Sequence, residues 1–425
     1  MLNLTPNRPA EFMTTVATGL TEHTGLRSPT LMRIKALAAL SADAAFLAIG
    51  AVDPAGTIDP EALARIGAGF DATRPYDAFR GGDPVEDVGL YCSDLSKMNP
   101  EEVSRPLEEA PAASAPDYPH FAALVGASRI LQQAQIPFGV ATRRHLGGLS
   151  RWPVIVLPNV QRMSADEVAA FRAYVLGGGQ LYASRDSSLC LTGSPWGGDF
   201  ALADLFGCHH DVVEEGRLVY AVAANWSVPK RPLAHWTRPD GKGASIRIRL
   251  DGAEPLVELA LPYGHPHPGA VGDEHWASIH SSPPWESAGR PLVVRNRAGR
   301  GTAIYSAFDI EAGESPEHDA LFRSLILDLL PTGLSVEAQM HPHVWLSAFR
   351  HPDRIVVSLL NYQEVEPVLP VPQGRIHVRL PEGSHCKGVV RAPDVSPVQH
   401  SQDAAGIVEF EAAPLDLFAM YQVNL

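Results

Sequence analysis

Hydrophobic residues change their spacing twice along the chain, and these changes divide it into three regions. In residues 1–82 the apolar run FMTTVATGL is followed by the helical pattern SPTLMRIKALAAL and then by a second strand and helix. In residues 83–334 short segments such as WPVIVLPN are apolar throughout, which is typical of parallel strands covered on both faces. In residues 335–425 short alternating strands are separated by proline and glycine. The pattern predicts an α/β fold that ends in an all-β region.

The middle region carries the clearest strand and helix signals. Ser164 and Glu167 stand at capping-box spacing before VAAFRAYVL, and glycines follow, so this segment predicts a helix. The next strand, QLYAS, is predicted to be the fourth parallel strand of a doubly wound sheet, and its loop is expected at the carboxyl edge where ligands bind. An antiparallel insertion is predicted at about residues 209–290, followed by a hairpin that turns at residues 298–300.

The outer regions are smaller. Five or more short strands in residues 335–425 predict a small antiparallel β-sandwich. Residues 1–82 contain only two βα units, which are a fragment of an α/β architecture, because a complete (β/α)8 barrel takes about 250 residues.

Charge and cysteine content narrow the class of protein. The chain has 34 basic and 48 acidic residues, and its net charge of −14 argues against a nucleic-acid or anionic-membrane partner. Its four cysteines lack CxxC spacing, which favours reduced thiols in the cytoplasm. The first residues do not resemble a secretory signal, and the longest apolar stretch, Ala36–Val52, is too short for a membrane span and contains Asp43. We therefore expect a cytoplasmic protein without a membrane partner.

The loop after QLYAS raises the question of a cysteine nucleophile. The middle region resembles the class I glutamine amidotransferase fold, in which a cysteine follows the central strand directly and a His and Glu follow a later strand. Here residues 185–187 follow the strand, Cys190 comes several positions too late, and Phe308 and Asp309 stand where the histidine is needed. A thiol without an imidazole partner acts as a small buried hydrophobe. A degenerate amidotransferase-like enzyme using Cys190 is a further hypothesis.

Three segments carry a broader resemblance: RSPTLMRIKALAALSADA, VIVLPNVQRMSADEVAAFRAYVLGGGQLYAS and DFALADLFGC. They are similar to the C-terminal portion of β-galactosidase-like glycoside hydrolases of family 42 or a near relative. In that family a TIM barrel is followed by an amidotransferase-like trimerisation domain and a small β-sandwich. The resemblance implies a partial barrel in residues 1–82, the trimerisation-like domain in residues 83–334 and the β-sandwich in residues 335–425.

The same resemblance determines which catalytic groups to expect. Retaining glycosidases need two carboxylates about 5 Å apart, and in this family they follow barrel strands four and seven. Strand four is not encoded here, so we do not expect the acid/base residue in this chain. The counterpart of strand seven, EFMTTVATGL, carries residues 14–16 (Thr, Thr, Val) where the nucleophilic Glu belongs. Glu11 and Glu22 flank it, and Glu22 is the better placed because it follows the strand; a solvated loop carboxylate is the alternative.

One loop concentrates imidazoles, carboxylates and tryptophans: YGHPHPGAVGDEHWASIHSSPPW, which ends at Trp285. Its spacing matches no metal-ligand motif, so we expect neither a metal nor another cofactor. Tryptophan stacks on sugar faces and polar side chains bind hydroxyls, so the loop is a candidate sugar-binding element, with subunit packing as the alternative. The candidate sugar-binding residues are His265, His267, Glu274, His275, Trp276 and His280.

Together these features predict a glycoside-hydrolase-related protein of carbohydrate metabolism. We expect it to be truncated or split from most of its catalytic barrel, to bind carbohydrate, and to form a homo-oligomer, for example a trimer, or to join a barrel-bearing partner chain. The alternative is an autonomous, non-enzymatic carbohydrate-binding or interaction protein. Residues 1–82 are expected to expose strand edges and an apolar helix face.

Overall fold

The computed structural model describes residues 10–19, 24–97, 118–191, 198–237, 243–264 and 282–425. The helices are α1 Pro29–Ser41, α2 Pro60–Thr73, α3 Pro119–Gln133, α4 Ala165–Leu176, α5 Ala203–Phe206 and α6 Pro316–Leu329. The strands up to residue 191 are β1 Glu11–Thr15, β2 Ala45–Ile49, β3 Asp83–Pro84, β4 Val88–Tyr91, β5 Phe138–Ala141, β6 Val154–Leu157, β7 Arg162–Met163, β8 Gln180–Ser184 and β9 Cys190–Leu191.

The next strands are β10 Cys208–Glu215, β11 Leu218–Ala223, β12 Leu233–Trp236, β13 Ser245–Leu250, β14 Glu254–Pro262, β15 Pro284–Ala298 and β16 Gly301–Ser306. The remaining strands are β17 Val336–Gln339, β18 Val344–Arg350, β19 Arg354–Asn361, β20 Gly374–Arg379, β21 Gly388–Ala392, β22 Ser396–Val398, β23 His400–Gln402, β24 Ile407–Ala412 and β25 Phe418–Asn424. None of the described helices has both the length and the apolar character that crossing a membrane requires.

The chain forms two compact units. The first unit comprises residues 1–87, 131–139 and 334–425, and the second comprises residues 88–130 and 140–333.

The second unit is built on a mixed sheet of nine strands. The strand order is β12-β11-β14-β15-β16-β8-β6-β4-β5. Strands β4, β6, β8 and β16 run parallel to their neighbours in this group, so the prediction that QLYAS, which is β8, is a parallel strand is confirmed. Strands β11, β12, β14 and β15 pair antiparallel and extend this same sheet. The sheet is therefore parallel at its centre and antiparallel along one arm.

Two local predictions in this unit are confirmed. The Ser164 hydroxyl accepts from the Glu167 amide, and the Glu167 carboxylate accepts from the Ser164 amide at 2.7 Å, which is a capping box at the start of α4. Strands β15 and β16 form a hairpin in which Ala298 pairs with Gly301, and Gly299 takes a positive φ of 60° in the turn between them. Local sequence chemistry therefore determines where α4 begins and where the hairpin of β15 and β16 turns.

The described residues of the first unit form three sheets. Strands β1 and β2 form a parallel pair, and the other two sheets are antiparallel, with orders β17-β20-β24-β23 and β22-β21-β25-β19-β18-β3. Residues of both antiparallel sheets, among them Ile376, Phe410, Val357 and Tyr421, share one hydrophobic cluster. A second cluster joins Leu37 and Leu40 of α1 to the six-stranded sheet, so that helix is anchored on strands that lie more than 300 positions later.

Candidate functional site

The parallel pair in the first unit has one face covered by helices and one open to solvent. Phe46 and Ala48 of β2 pack against a cluster formed by Val16, Met32 of α1 and Ala62 of α2. On the other face Met13 and Leu47 are register partners, and they are 55% and 37% exposed. Ile49, two residues beyond Leu47, is exposed as well. One side of this sheet is therefore an apolar surface without a described cover.

Helix α2, one of the two helices that cover the pair, also has solvent-exposed apolar residues. Leu63 and Phe70 of α2 are exposed and lie seven positions apart, so they share one face of the helix. Within the described residues, β1 and β2 pair only with each other, whereas parallel strands are ordinarily buried inside larger sheets. We call Met13, Leu47, Ile49, Leu63 and Phe70 the open βα surface. The expected exposure of strand edges and an apolar helix face is confirmed for these residues.

One of the two predicted catalytic positions, Glu11, lies in this pair. Glu11 is the first residue of β1 and is exposed, which places its carboxylate at the amino end of the strand. The carboxyl end carries Thr14 and Thr15, and the Thr15 hydroxyl accepts from the Ala17 amide at 3.1 Å. Barrel active sites are built at carboxyl ends, so Glu11 is at the wrong end for this chemistry. Glu22 lies outside the described residues.

The candidate sugar-binding loop also lies largely outside the described part of the chain. This applies to His265, His267, Glu274, His275, Trp276 and His280. Trp285, at the end of the same loop, is described: it is the second residue of β15, is partly exposed and packs edge-to-face on Tyr263 with ring centroids 5.7 Å apart.

In the second unit, polar side chains gather where β8 and β16 end. Arg185 follows β8 directly, takes a positive φ of 46° and is 2% exposed. Its amide donates to the Ser306 carbonyl at 2.7 Å, and its guanidinium donates to the Gly243 carbonyl at 2.7 Å. A non-glycine residue in the left-handed region is uncommon and, for a long side chain, needs support from its surroundings. A tight elbow is thus present after the central strand, with arginine at its apex.

The guanidinium of Arg185 lies among carboxylates. Its Nη1 is 3.8 Å from Asp309 Oδ1, and its Nε is 3.9 Å from Asp186 Oδ2. All three residues are buried, and a buried charge needs such opposite charges because it has lost its hydration. The residue that directly follows β8 is therefore a buried, charge-paired arginine.

Glu311 forms a second part of the cluster. Its carboxylate is fully buried and accepts from the Tyr182 hydroxyl at 2.9 Å and from the Ser184 hydroxyl. Burial raises the pKa of Glu311 to about 7, although the hydroxyl donors oppose the shift. Gly126 of α3 allows this packing, because a Cβ there would collide with the Glu311 carbonyl. Glu311 was not predicted from the sequence, although the segment AFDIE that contains it follows a strand.

A line of four side chains runs from this cluster to the start of α6. Asp309 Oδ1 lies 3.4 Å from His235 Nε2, His235 Nδ1 lies 3.1 Å from His318 Nε2, and His318 Nδ1 lies 2.7 Å from the Ser315 hydroxyl. Asp309 and both histidines are buried, and Ser315 is half-buried. Burial lowers the pKa of His318 to about 4, with a smaller contribution from the neighbouring His235, so the His318 imidazole is neutral at pH 7. Neither histidine was predicted from the sequence to be functional.

Cys190 lies apart from that line. It begins β9, is 4% exposed, and its amide donates to the Gln161 carbonyl at 2.9 Å. Its thiol is thus in a buried strand beyond the elbow, which agrees with the interpretation as a small buried hydrophobe. Among the described residues, no group of three or more His, Cys, Asp or Glu side chains is arranged to hold a metal ion.

Comparison with known proteins shows a shared fold. No protein-family model and no curated protein sequence matches the chain. It is similar to α-L-fucosidase isoenzyme 2 from Paenibacillus thiaminolyticus, with a TM-score of 0.75 at 19% identity, over 97% of this chain and 60% of that one. It is also similar to a β-galactosidase from Bacillus circulans sp. alkalophilus, with a TM-score of 0.63 at 12% identity, over 97% of this chain and 55% of that one.

A third similar structure is a catalytic mutant of Gan42B, a GH42 β-galactosidase from G. stearothermophilus, with a TM-score of 0.61 at 14% identity. The match covers 94% of this chain and 52% of that one. The chain therefore spans between half and three-fifths of the length of these glycosidases. At such low identity the likeness is one of fold, and the sequence-based recognition of a partial glycosidase-like fold is confirmed.

Proposed function

We propose that this chain is part of a glycoside-hydrolase-like assembly in which the open βα surface completes a (β/α)8 barrel. The single observation that carries the proposal is the parallel pair of β1 and β2, with Met13 and Leu47 exposed on one face. A sheet of this kind is stable when parallel strands lie on both edges and apolar side chains cover its faces. Six further βα units, on a longer form of this chain or on a separate chain, would supply both.

The catalytic carboxylates of such an assembly would come mainly from those six units. In the described part of β1, Glu11 is at the amino end and threonines occupy the carboxyl end. Glu22 remains the proposed contribution of this chain, with carbohydrate as the substrate class. The proposed role of the other residues is to form an amidotransferase-like, doubly wound domain and a β-sandwich that organise a homo-oligomer, for example a trimer. The nine-stranded sheet and the two antiparallel sheets with a shared core support that assignment.

The test is reconstitution with a polypeptide that carries six βα units. We expect this chain alone not to hydrolyse p-nitrophenyl β-D-galactoside or p-nitrophenyl α-L-fucoside, and we expect it to form a stoichiometric, active complex with the six-unit polypeptide. The double variant Met13→Lys, Leu47→Lys should prevent the complex, because two buried charges would face the barrel interior. The matched control is Val365→Lys, Leu369→Lys, since these apolar residues are 80% and 62% exposed and lie outside the open βα surface.

The proposal would be wrong if the control and the test variant bound the six-unit polypeptide equally well, or if neither the wild-type chain nor its complex hydrolysed either glycoside.

The alternative, an autonomous carbohydrate-binding protein, has an observation of its own. Trp236 of β12 and Trp285 of β15 are both more than two-fifths exposed on the antiparallel arm of the nine-stranded sheet. Exposed tryptophans are suited to stacking on sugar rings. Quenching of tryptophan fluorescence by galactose or fucose oligosaccharides, lost in a Trp236→Ala, Trp285→Ala variant, would favour this function; no change in the wild type would exclude it.

A further inference from the structure

We propose that Ser315 is a nucleophile for acyl transfer. Hydrogen bonds link it through His318 to His235, and the far nitrogen of His235 lies at ion-pair distance from Asp309. This activity is separate from the proposed glycosidase role and uses residues of the second unit only.

The directions of the hydrogen bonds along this line are mutually consistent. The Ser315 hydroxyl donates to His318 Nδ1 at 2.7 Å, which leaves the proton of His318 on Nε2. That Nε2–H donates to His235 Nδ1 at 3.1 Å, which in turn leaves the proton of His235 on Nε2. His235 Nε2 faces Asp309 Oδ1 at 3.4 Å. Each imidazole accepts a hydrogen bond on the side that faces the serine, which is the orientation that a general base at His318 needs.

Burial makes this line suitable for moving a proton. Asp309, His235 and His318 are at least 94% buried, so no bulk water competes for the donors between them. Arg185 Nη1, 3.8 Å from the same Asp309 oxygen, favours the ionised carboxylate. An imidazolium formed at His318 would share its charge with that carboxylate through His235. His318 is thus the catalytic base, and His235 and Asp309 are positioning residues.

The serine lies where an acyl substrate can approach. Ser315 is the half-buried N-cap of α6, and its hydroxyl accepts from the His318 amide at 3.3 Å. The next amide of the first turn, that of Glu317, has no intrahelical acceptor, and the helix amino end favours negative charge on a carbonyl oxygen. Glu314 and Glu317 are exposed beside the serine, so the substrate class is a small uncharged ester.

The reaction balances without a cofactor. Ser315 Oγ attacks the ester carbonyl carbon while its proton passes to His318 Nδ1. The bond from carbonyl carbon to leaving oxygen then breaks, and the proton on His318 goes to the leaving alkoxide. Water attacks the acyl-serine, gives its proton to His318, and releases the acid as the serine recovers its proton. The net reaction is ester plus water to acid plus alcohol.

The experiment uses p-nitrophenyl acetate as substrate and diisopropyl fluorophosphate as covalent probe on the full chain. The test variant is Ser315→Asn, because asparagine is a good N-cap residue but has no nucleophilic oxygen. The matched control is Ser28→Asn: Ser28 also caps a helix, accepting from the Leu31 amide, but its hydroxyl donates to Glu366 instead of a histidine.

We expect a burst of p-nitrophenol from wild type and the Ser28 variant, and a phosphoryl adduct on Ser315 by mass spectrometry. Ser315→Asn should lose both. Asp309→Asn should lower kcat by about 100-fold with KM unchanged, because general base catalysis typically contributes a factor of this size. The circular dichroism spectrum of this variant should match that of the wild type. A wild type without burst or adduct, or a Ser315→Asn variant that keeps them, would show that Ser315 is a helix cap only.

Discussion

Met13 and Leu47 are register partners on one face of a two-stranded parallel sheet, and both side chains are more than one-third exposed. Their neighbours on the opposite face, Phe46 and Ala48, pack against two helices. The same sheet therefore has one stabilising face and one face that contributes little to the stability of this chain. Burying apolar area stabilises a fold by about 25 cal/mol per Å². Apolar area that stays in water therefore contributes nothing to the free energy of folding.

Replacing the exposed pair should therefore leave stability nearly unchanged. For the double variant Met13→Ser, Leu47→Ser we expect the free energy of unfolding in urea to change by no more than about 0.5 kcal/mol per site. Binding of a hydrophobic dye and self-association should both decrease, because the apolar patch is smaller. Urea titration, dye fluorescence and light scattering check these outcomes.

The control for that pair is Met32→Ala in the helix cluster on the opposite face. Met32 is fully buried, so its truncation should cost about 2–5 kcal/mol. If the exposed pair were as costly to replace as Met32, the open βα surface would have to be covered in the folded chain.

The strand β8 and the capping box were predictable because their signals are local. Ser164 and Glu167 are three positions apart, and QLYAS carries its own turn residues. The line from Asp309 to Ser315 was not predictable, because His235 and His318 meet across 83 positions of sequence. Nothing in the local pattern around either histidine indicates its partner. The one available signal was that SRDSS and AFDIE both follow strands of one parallel sheet, whose carboxyl ends share an edge.

The backbone conformation of Arg185 could not be predicted from the sequence pattern either. A positive φ is expected of glycine or asparagine, and here the long side chain is retained because Asp186, Asp309 and the Gly243 carbonyl surround its guanidinium. Tertiary contacts thus outweigh the local preference.

Removing that guanidinium should be costly. For Arg185→Ala we expect a loss of about 3–5 kcal/mol in the free energy of unfolding, because buried carboxylates are left without their cation. Arg185→Gly should be less harmful by about 1 kcal/mol, since glycine adopts the positive φ without a Cβ penalty. Urea titration of the two variants measures both differences.

The control variant for Arg185→Ala is Arg143→Ala, which removes an arginine from an exposed ion pair. Arg143 pairs with Asp94 where both side chains are at least half exposed, so its loss should cost less than about 1 kcal/mol. Equal effects of the two substitutions would mean that the buried charges near Arg185 contribute no more than a surface pair.

Glu311 should make stability fall as pH rises through neutrality. Burial raises its pKa in the folded state to about 7, from an ordinary value of 4.5. Between these two values the folded state holds a proton that the unfolded state releases, so the contribution is complete below pH 4.5 and is lost as pH rises through 7. The change amounts to about 3 kcal/mol.

The variant Glu311→Gln removes this titration and keeps a polar group beside Tyr182 and Ser184. Relative to wild type, its free energy of unfolding should improve by about 3 kcal/mol between pH 4 and pH 8. A difference that stays constant over this range would mean that Glu311 titrates normally in the folded protein.

His120 should make the stability of the folded protein fall as pH decreases, which is opposite to the effect of Glu311. It lies buried in α3, where its Nδ1–H donates to the Pro158 carbonyl at 2.7 Å and its Nε2 accepts from the Ser93 amide at 3.0 Å. Burial lowers its pKa to about 4, against the backbone hydrogen bond that favours the charged form. Its stabilising contribution is complete above pH 6.5 and is lost as pH falls through 4, because the unfolded state takes up the proton first.

In His120→Gln the side-chain amide replaces the donor and the acceptor without a titrating group. Unfolding in urea at pH 7 and pH 4 should show that wild type loses about 3 kcal/mol more than this variant over the interval. The opposing effect of Glu311 is common to both proteins and cancels in the difference. The control His400→Gln removes an exposed imidazole from β23 and should follow wild type. If His120→Gln also follows wild type, the buried imidazole is protonated as easily in the folded state as in the unfolded state.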